Sequence, residues 1–131
     1  MQVPRVVIHG PAHAVAALRA AASLGRPILL SSPAGCALSH GAPWFREVIA
    51  QARAACPEAV CDAVLDCADA PGAALAALRV GLRHLRIDAP PEMRDRLTAM
   101  GALLDDQSEA PTLDLLDHPD PEAACRAWLG G

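Results

Sequence analysis

The sequence has no lysine, no asparagine and no tyrosine, and only one Phe and two Trp among 131 residues. Without lysine no side-chain amine can form a Schiff base, and no P-loop ammonium can reach a phosphate. So few aromatic rings leave no stacking platform for nucleic acid. The formal net charge of −4 at pH 7 argues further against a partner held through its phosphate backbone. Cys36, Cys56, Cys61, Cys67 and Cys125 show neither C-x-x-C nor zinc-ribbon spacing, and an odd set suits no small disulfide scaffold. No apolar run approaches the ~18 residues of a membrane span, and Met1–Arg5 opens no secretory signal. These absences lead us to expect a soluble, cytoplasmic protein with reduced thiols and neither membrane nor nucleic-acid partner.

What is present points to a packed core. Hydrophobic residues make up 53% of the chain, far above the level of a disordered segment. With aromatics scarce, the core must be built from Leu, Val, Ile and Ala. The length suits a single domain, residues 1–131.

Apolar runs alternate with amphipathic ones along the chain. Arg5–His9 reads as a buried strand closed by Gly10-Pro11, and a helix is expected from about His13 to Leu24, with Val15, Leu18 and Ala22 inward. Gly25 and Pro27 stop it, and Pro27–Ser31 is the second strand. A long loop rich in turn residues runs from Ser32 to Ala42. The helix from Trp44 to Ala55 places Phe45, Val48, Ile49, Ala52 and Cys56 on one face. A strand then ends at Asp66, with Asp69 as the expected N-cap of the next helix and Gly81 as its stop. A strand ending at Asp88 follows, then a helix carrying Met93, Leu97 and Met100 inward. Ala102–Asp105 reads as a fifth strand, ending in Asp105-Asp106. Thr112–Leu116 is either a short strand or an irregular turn. Asp120-Pro121-Glu122 starts a last helix to Leu129, on which Trp128 plugs an edge of the core. The expected fold class is α/β: one small domain of repeated βα units with a mostly parallel sheet, half-barrel-like or flavodoxin-like. A shift of 57 superimposes Val7 on Val64, Arg26 on Arg83 and Pro33 on Pro90, as a duplicated βαβ pair would.

Ala74-Leu75-Ala76-Ala77-Leu78-Arg79-Val80-Gly81, followed by Leu85-Arg86-Ile87-Asp88-Ala89-Pro90, resembles the middle βα units of aldolase-type (βα)8 barrels. The resemblance extends from Asp66 to Gln107, about a third of the chain. It implies a half-barrel-like or flavodoxin-like domain whose open sheet edges pair in a homodimer. The catalytic lysine of that family has no counterpart, so no aldolase residue carries over.

Parallel sheets place ligands beyond the C-terminal ends of their strands. Those ends carry His9, Ser31-Ser32, Asp66-Cys67, Asp88 and Asp105-Asp106. His9, Asp66 and Asp88 are the candidates for acid–base catalysis of a lyase or isomerase type. Asp66, Asp88 and Asp105 are the candidates for a divalent metal such as Mg²⁺ or Zn²⁺. Ser31, Ser32, Gly35, Ser39 and His40 offer hydroxyls and amides to a small anionic metabolite. Among the thiols, Cys36 near His40 is the better candidate nucleophile, because carboxylates flank Cys67, but the expected role of a free cysteine here is that of a small buried hydrophobe. Each strand-end aspartate is equally a cap or a loop anchor. The expected function is binding of a small anionic metabolite by a dimer; the alternatives are an enzyme, or an interaction module docking through the 31–43 loop and Trp44.

Overall fold

The computed structural model describes residues 3–106 and 109–131; Met1, Gln2, Gln107 and Ser108, with the end of the barrel-like stretch, lie outside the described residues. The first half of the chain forms β1 (Arg5–Val7), α1 (Pro11–Leu24), β2 (Ile28–Ser31), α2 (Cys36–Ser39), α3 (Ala42–Ala55) and β3 (Cys61–Asp66). The second half forms α4 (Pro71–Arg79), β4 (His84–Arg86), α5 (Pro91–Ala99), β5 (Leu103–Leu104), β6 (Thr112–Asp114) and α6 (Pro121–Gly130). Every strand pairing described is parallel, so the chain is an α/β fold of repeated βα units. Its contacts divide into two compact units, residues 3–31, 48–63 and 109–131, and residues 32–47 and 64–106.

In the first unit β1 lies between β2 and β6, with Val6 opposite both Leu30 and Leu113. Thr112–Asp114, ambiguous by pattern, is therefore a strand, and its partner is the first strand of the chain. Val6, Leu18, Ile28 and Leu30 are fully buried. Burying a side chain of that size contributes about 2 kcal/mol. The buried face of α1 is made of Ala14, Ala16, Ala17, Ala20 and Ala21 around Leu18, whereas the expected Val15 and Ala22 are only partly covered. Small side chains let α6 pack close against α1, burying Cys125 and Leu129. Gly25 closes α1 in the left-handed region at φ 61°, its amide reaching Ala21 and Ala22 carbonyls. The Arg26 guanidinium donates to the Leu129 carbonyl at the last turn of α6, where a cation complements the helix dipole. Asp120 caps α6 as expected, its Oδ1 accepting from the Ala123 amide at 3.1 Å.

In the second unit β4 lies between β3 and β5, with Leu85 opposite both Leu65 and Leu104. Val64, Leu65, Leu85 and Leu97 are fully buried. Three expectations are corrected here. Met100 is 59% exposed, because α5 ends at Ala99 and Met100 sits in the turn that follows. Asp69 does not cap α4; Ala70 takes the N-cap position without any side-chain bond. The stretch read as loop contains the short helix α2, which opens at Gly35 with φ 71°.

The face predicted for the Trp44 helix is the observed one, since Phe45, Val48, Ile49, Ala52 and Cys56 are all buried. The gapless duplication does not survive. Val7 pairs with Ser31, 24 residues on, whereas Asp66 pairs with Arg86, 20 residues on. The crossover helix has 14 residues in α1 and 9 in α4, so a constant shift cannot keep both strand registers.

Candidate functional site

In the second unit the C-terminal ends of β3, β4 and β5 open onto a cavity of about 260 Å³. Asp66, Ala68, Arg86, Ile87, Asp88, Asp105 and Asp106 line it. Three of the aspartates singled out from sequence thus meet, because adjacent parallel strands end at the same level. The register puts Asp66 beside Arg86, and the Asp105 amide continues the ladder by donating to the Leu85 carbonyl at 2.8 Å.

Asp66 is held through its own carboxylate and amide. Oδ1 accepts from the Ala68 amide at 2.8 Å and the Gly35 amide at 3.1 Å, while the Asp66 amide donates to Ser32 Oγ at 2.9 Å. Oδ2 lies 4.0 Å from Arg86 Nε. One oxygen therefore fixes the turn and the other faces a cation. Ala68 adopts φ 53°, an uncommon conformation for a residue with a Cβ, and its carbonyl accepts from the Asp88 amide at 2.8 Å. That bond ties the end of β4 to the turn after β3. Arg94 ties the third side: Nη1 donates to the Ile87 carbonyl at 2.9 Å and Nη2 to Asp106 Oδ1 at 2.5 Å. Sequence reading missed Arg94, since nothing marks one arginine of a polar helix as a clamp. Asp105 is only 8% exposed where it lines the cavity.

The anion-binding expectation meets a different arrangement. The Gly35 amide is spent on Asp66, and Ser32 Oγ accepts from the Asp66 amide while donating to the Pro33 carbonyl at 3.1 Å. Ser39 Oγ lies 3.0 Å from His40 Nδ1, and the His40 ring stacks on Trp44 at 4.5 Å between centroids. Neither Ser39 nor His40 lines the cavity. Ser31 closes β2 in the first unit, its carbonyl accepting from the Ile8 amide at 2.9 Å. Cys36, the first residue of α2, and Cys67, just after β3, are both buried. Burial pushes the Cys67 thiol up to about 11, with the Asp66 carboxylate and then Cys36 adding to it. Burial also raises Cys36, against a lowering bond from Ser32, and Asp66 raises it further. Both shifts favour the protonated thiol over the nucleophilic thiolate, and Cys36 packs as a small buried hydrophobe.

His9 is placed differently from the other catalytic candidates. It follows β1 in the first unit, where its Nε2 lies 2.6 Å from Asp114 Oδ1, and it is absent from the cavity lining. Asp114 is the last residue of β6 and stands opposite Val7 in register. Burial of its carboxyl opposes ionisation, but the Leu116 amide and then the His9 and His13 imidazoles outweigh it and hold the pKa below the ordinary value. Among the described residues no three His, Cys, Asp or Glu side chains are grouped to hold a metal ion. Asp66, Asp88 and Asp105 share a cavity without forming such a cage. No helix among the described residues is long and apolar enough to cross a membrane.

No protein-family model, curated protein or solved structure matches the chain.

Proposed function

We propose that the chain is a binding domain for a small, positively charged metabolite, an amine or guanidinium compound seated beyond the ends of β3, β4 and β5. The observation that carries this reading is the charge of the cavity wall. Four carboxylates line it against the single guanidinium of Arg86. With Arg94 paired to Asp106, acidic side chains still outnumber basic ones four to two around the cavity. A concave, partly desolvated wall of one sign concentrates ligands of the other. An anionic metabolite, the expectation from the small-residue loop, would meet this wall at an electrostatic cost. The volume of about 260 Å³ lies just below the usual ~300 Å³ lower bound of ligand pockets, which favours a ligand of few heavy atoms.

The test is a titration of the protein with small amines, guanidinium compounds and matched carboxylates, read by backbone amide NMR. The expected result is amine-dependent shifts at Ala68, Asp88 and Asp105, lost in Asp88→Asn. Shifts from carboxylates alone would restore the anionic reading, and none from either class would remove the site.

A second reading concerns association. β5 pairs only with β4 among the described strands, and Leu103 on it is 61% exposed, as is Met100 beside it at 59%. An apolar outer strand invites pairing with a second copy, so we propose a homodimer through β5. Light scattering at ~100 μM tests it, since stable interfaces persist at that concentration; a monomer there, or an unchanged dimer in Leu103→Lys, rules this edge out. Five free cysteines, four of them buried, suit a reducing cytoplasmic compartment.

A further inference from the structure

The strand ends of the first unit hold a second group of ionisable side chains, separate in composition from the acidic cavity. The segment His9-Gly10-Pro11-Ala12-His13 joins β1 to α1. Gly10 is extended, Pro11 occupies the first helical turn, and His13 therefore stands one turn inside α1. From there its Nδ1 accepts a hydrogen bond from the His9 backbone amide at 3.1 Å. A backbone amide can only donate, so Nδ1 of His13 is unprotonated and the neutral ring carries its hydrogen on Nε2. His9 is fixed from the other side. Its Nε2 bonds to Asp114 Oδ1 at 2.6 Å, which leaves the lone pair of the neutral ring on Nδ1. The two rings meet edge to face, with centroids 5.7 Å apart. Among the described residues, His9 Nδ1 and His13 Nε2 have no hydrogen-bond partner.

We propose that His9 and His13, oriented by Asp114, form an acid–base pair that moves a proton at a carbon adjacent to a carbonyl group. His9 Nδ1 is the base and the His13 Nε2–H is the donor to the carbonyl oxygen. As the C–H bond breaks, His9 Nδ1 takes the proton and the bonding pair forms the C=C bond of an enolate. The carbonyl π pair moves onto oxygen, where His13 donates its hydrogen bond. Returning a proton from His9 Nδ1 to the same or the neighbouring carbon reverses the flow and completes an exchange or an isomerisation. No oxidant, reductant or amine is consumed, which suits a chain without lysine.

The division of labour requires His13 to stay neutral while it donates. Burial lowers its pKa, His9 lowers it further, Asp114 partly opposes, and His118 adds a last lowering. A neutral imidazole N–H is far less acidic than an imidazolium, so it donates a hydrogen bond to the developing oxyanion and keeps its proton. Asp114 is a positioning residue, since it acts through His9.

Both histidines also have plain structural duties: His13 satisfies the His9 amide and His9 ties β1 to β6 through Asp114. The test separates the two roles by choosing side chains that keep the structural bond and delete the chemical one. Asparagine at position 13 offers an oxygen where Nδ1 was and lacks the Nε2–H. Glutamine at position 9 offers an amide donor where Nε2 was and lacks the Nδ1 base. The protein, His9→Gln, His13→Asn and Asp114→Asn are incubated in D₂O with hydroxyacetone, dihydroxyacetone or pyruvate. Deuterium entry next to the carbonyl is followed by NMR against an equal concentration of free imidazole. The expected result is exchange by the native chain above free imidazole for at least one probe. Each histidine variant should lose ~10²-fold or more, the usual worth of a positioned acid or base. Asp114→Asn should lose less and shift the pH profile. Long-range ¹H–¹⁵N spectra should place the hydrogen of neutral His13 on Nε2. Native exchange no faster than that of the two histidine variants, with their amide spectra intact, overturns the proposal. So does a His13 ring protonated on Nδ1.

Discussion

Both units bring ionisable residues to the C-terminal ends of parallel strands and anchor a carboxylate to its own turn, yet the second partner of that carboxylate differs. In the second unit the backbone holds the carboxylate, with two amides on Asp66 Oδ1. In the first unit the Leu116 amide and the His9 imidazole share Asp114 Oδ1, at 2.9 and 2.6 Å. An amide neither titrates nor rotates away, so the Asp66 turn is a fixed wall. The His9 imidazole instead reaches Asp114 from the end of β1, so this contact ties two neighbouring strand ends together. The same topological position thus carries a carboxylate shared between two backbone amides in one unit and one shared between an amide and an imidazole in the other.

The largest effects should come from the two cores. Leu18→Ala and Leu85→Ala each remove a fully buried side chain and should cost about 3 kcal/mol. We expect Leu18→Ala to accelerate amide exchange in β1 and β6 more than in β4 and β5, and Leu85→Ala the reverse. Equal acceleration everywhere would erase the distinction between units.

Next in size is Asp66→Ala, which strands the Gly35 and Ala68 amides and should cost about 2 kcal/mol in denaturant midpoint measurements. Asp66→Asn keeps an acceptor and should cost less than half of that. Asp114→Asn, at a more exposed contact, should change stability little at neutral pH. If it proves as damaging as Asp66→Ala, the first unit is held as rigidly as the second.

Ala68→Gly should stabilise by roughly 0.5 kcal/mol, the relief of a left-handed backbone exceeding the added chain entropy. A loss instead would mean that the Ala68 methyl packs the turn.

The smallest effect separates the units by pH. Folding lowers the His13 pKa from 6.5, so the unfolded chain binds more protons just below that value. Its contribution is complete above pH 6.5 and is lost as the pH falls, whereas Asp66 shows no comparable imidazole partner. Melting temperature between pH 7.5 and 5.5 should therefore fall in the native chain and fall less in His13→Asn. At the alkaline end Cys67 and Cys125, one in each unit, are both pushed up to about 11 from 9.0. Their contributions are complete below pH 9 and are lost above it, so alkali should weaken both units alike.

Much of the architecture was legible in one dimension. Apolar runs bounded by Gly and Pro placed β1 to β4 and every helix longer than four residues to within a few positions, because burial periodicity is local. The meeting of Asp66, Asp88 and Asp105 followed from one rule, that adjacent parallel strands end together. Three features were not legible, and each depends on partners far apart in sequence. Asp114 reaches His9 across 105 residues only because β6 pairs with β1. The Gly35 amide looked free for an anion until the fold brought Asp66 to it. Arg94 became a clamp only when Ile87 and Asp106 stood on either side of it. Sequence by itself determined that the chain is α/β, that it carries no lysine side-chain amine, and that carboxylates crowd the strand ends. Tertiary structure alone decided which of those groups are satisfied by backbone amides and which keep an unbonded atom, because hydrogen-bond satisfaction belongs to pairs of residues and not to single positions.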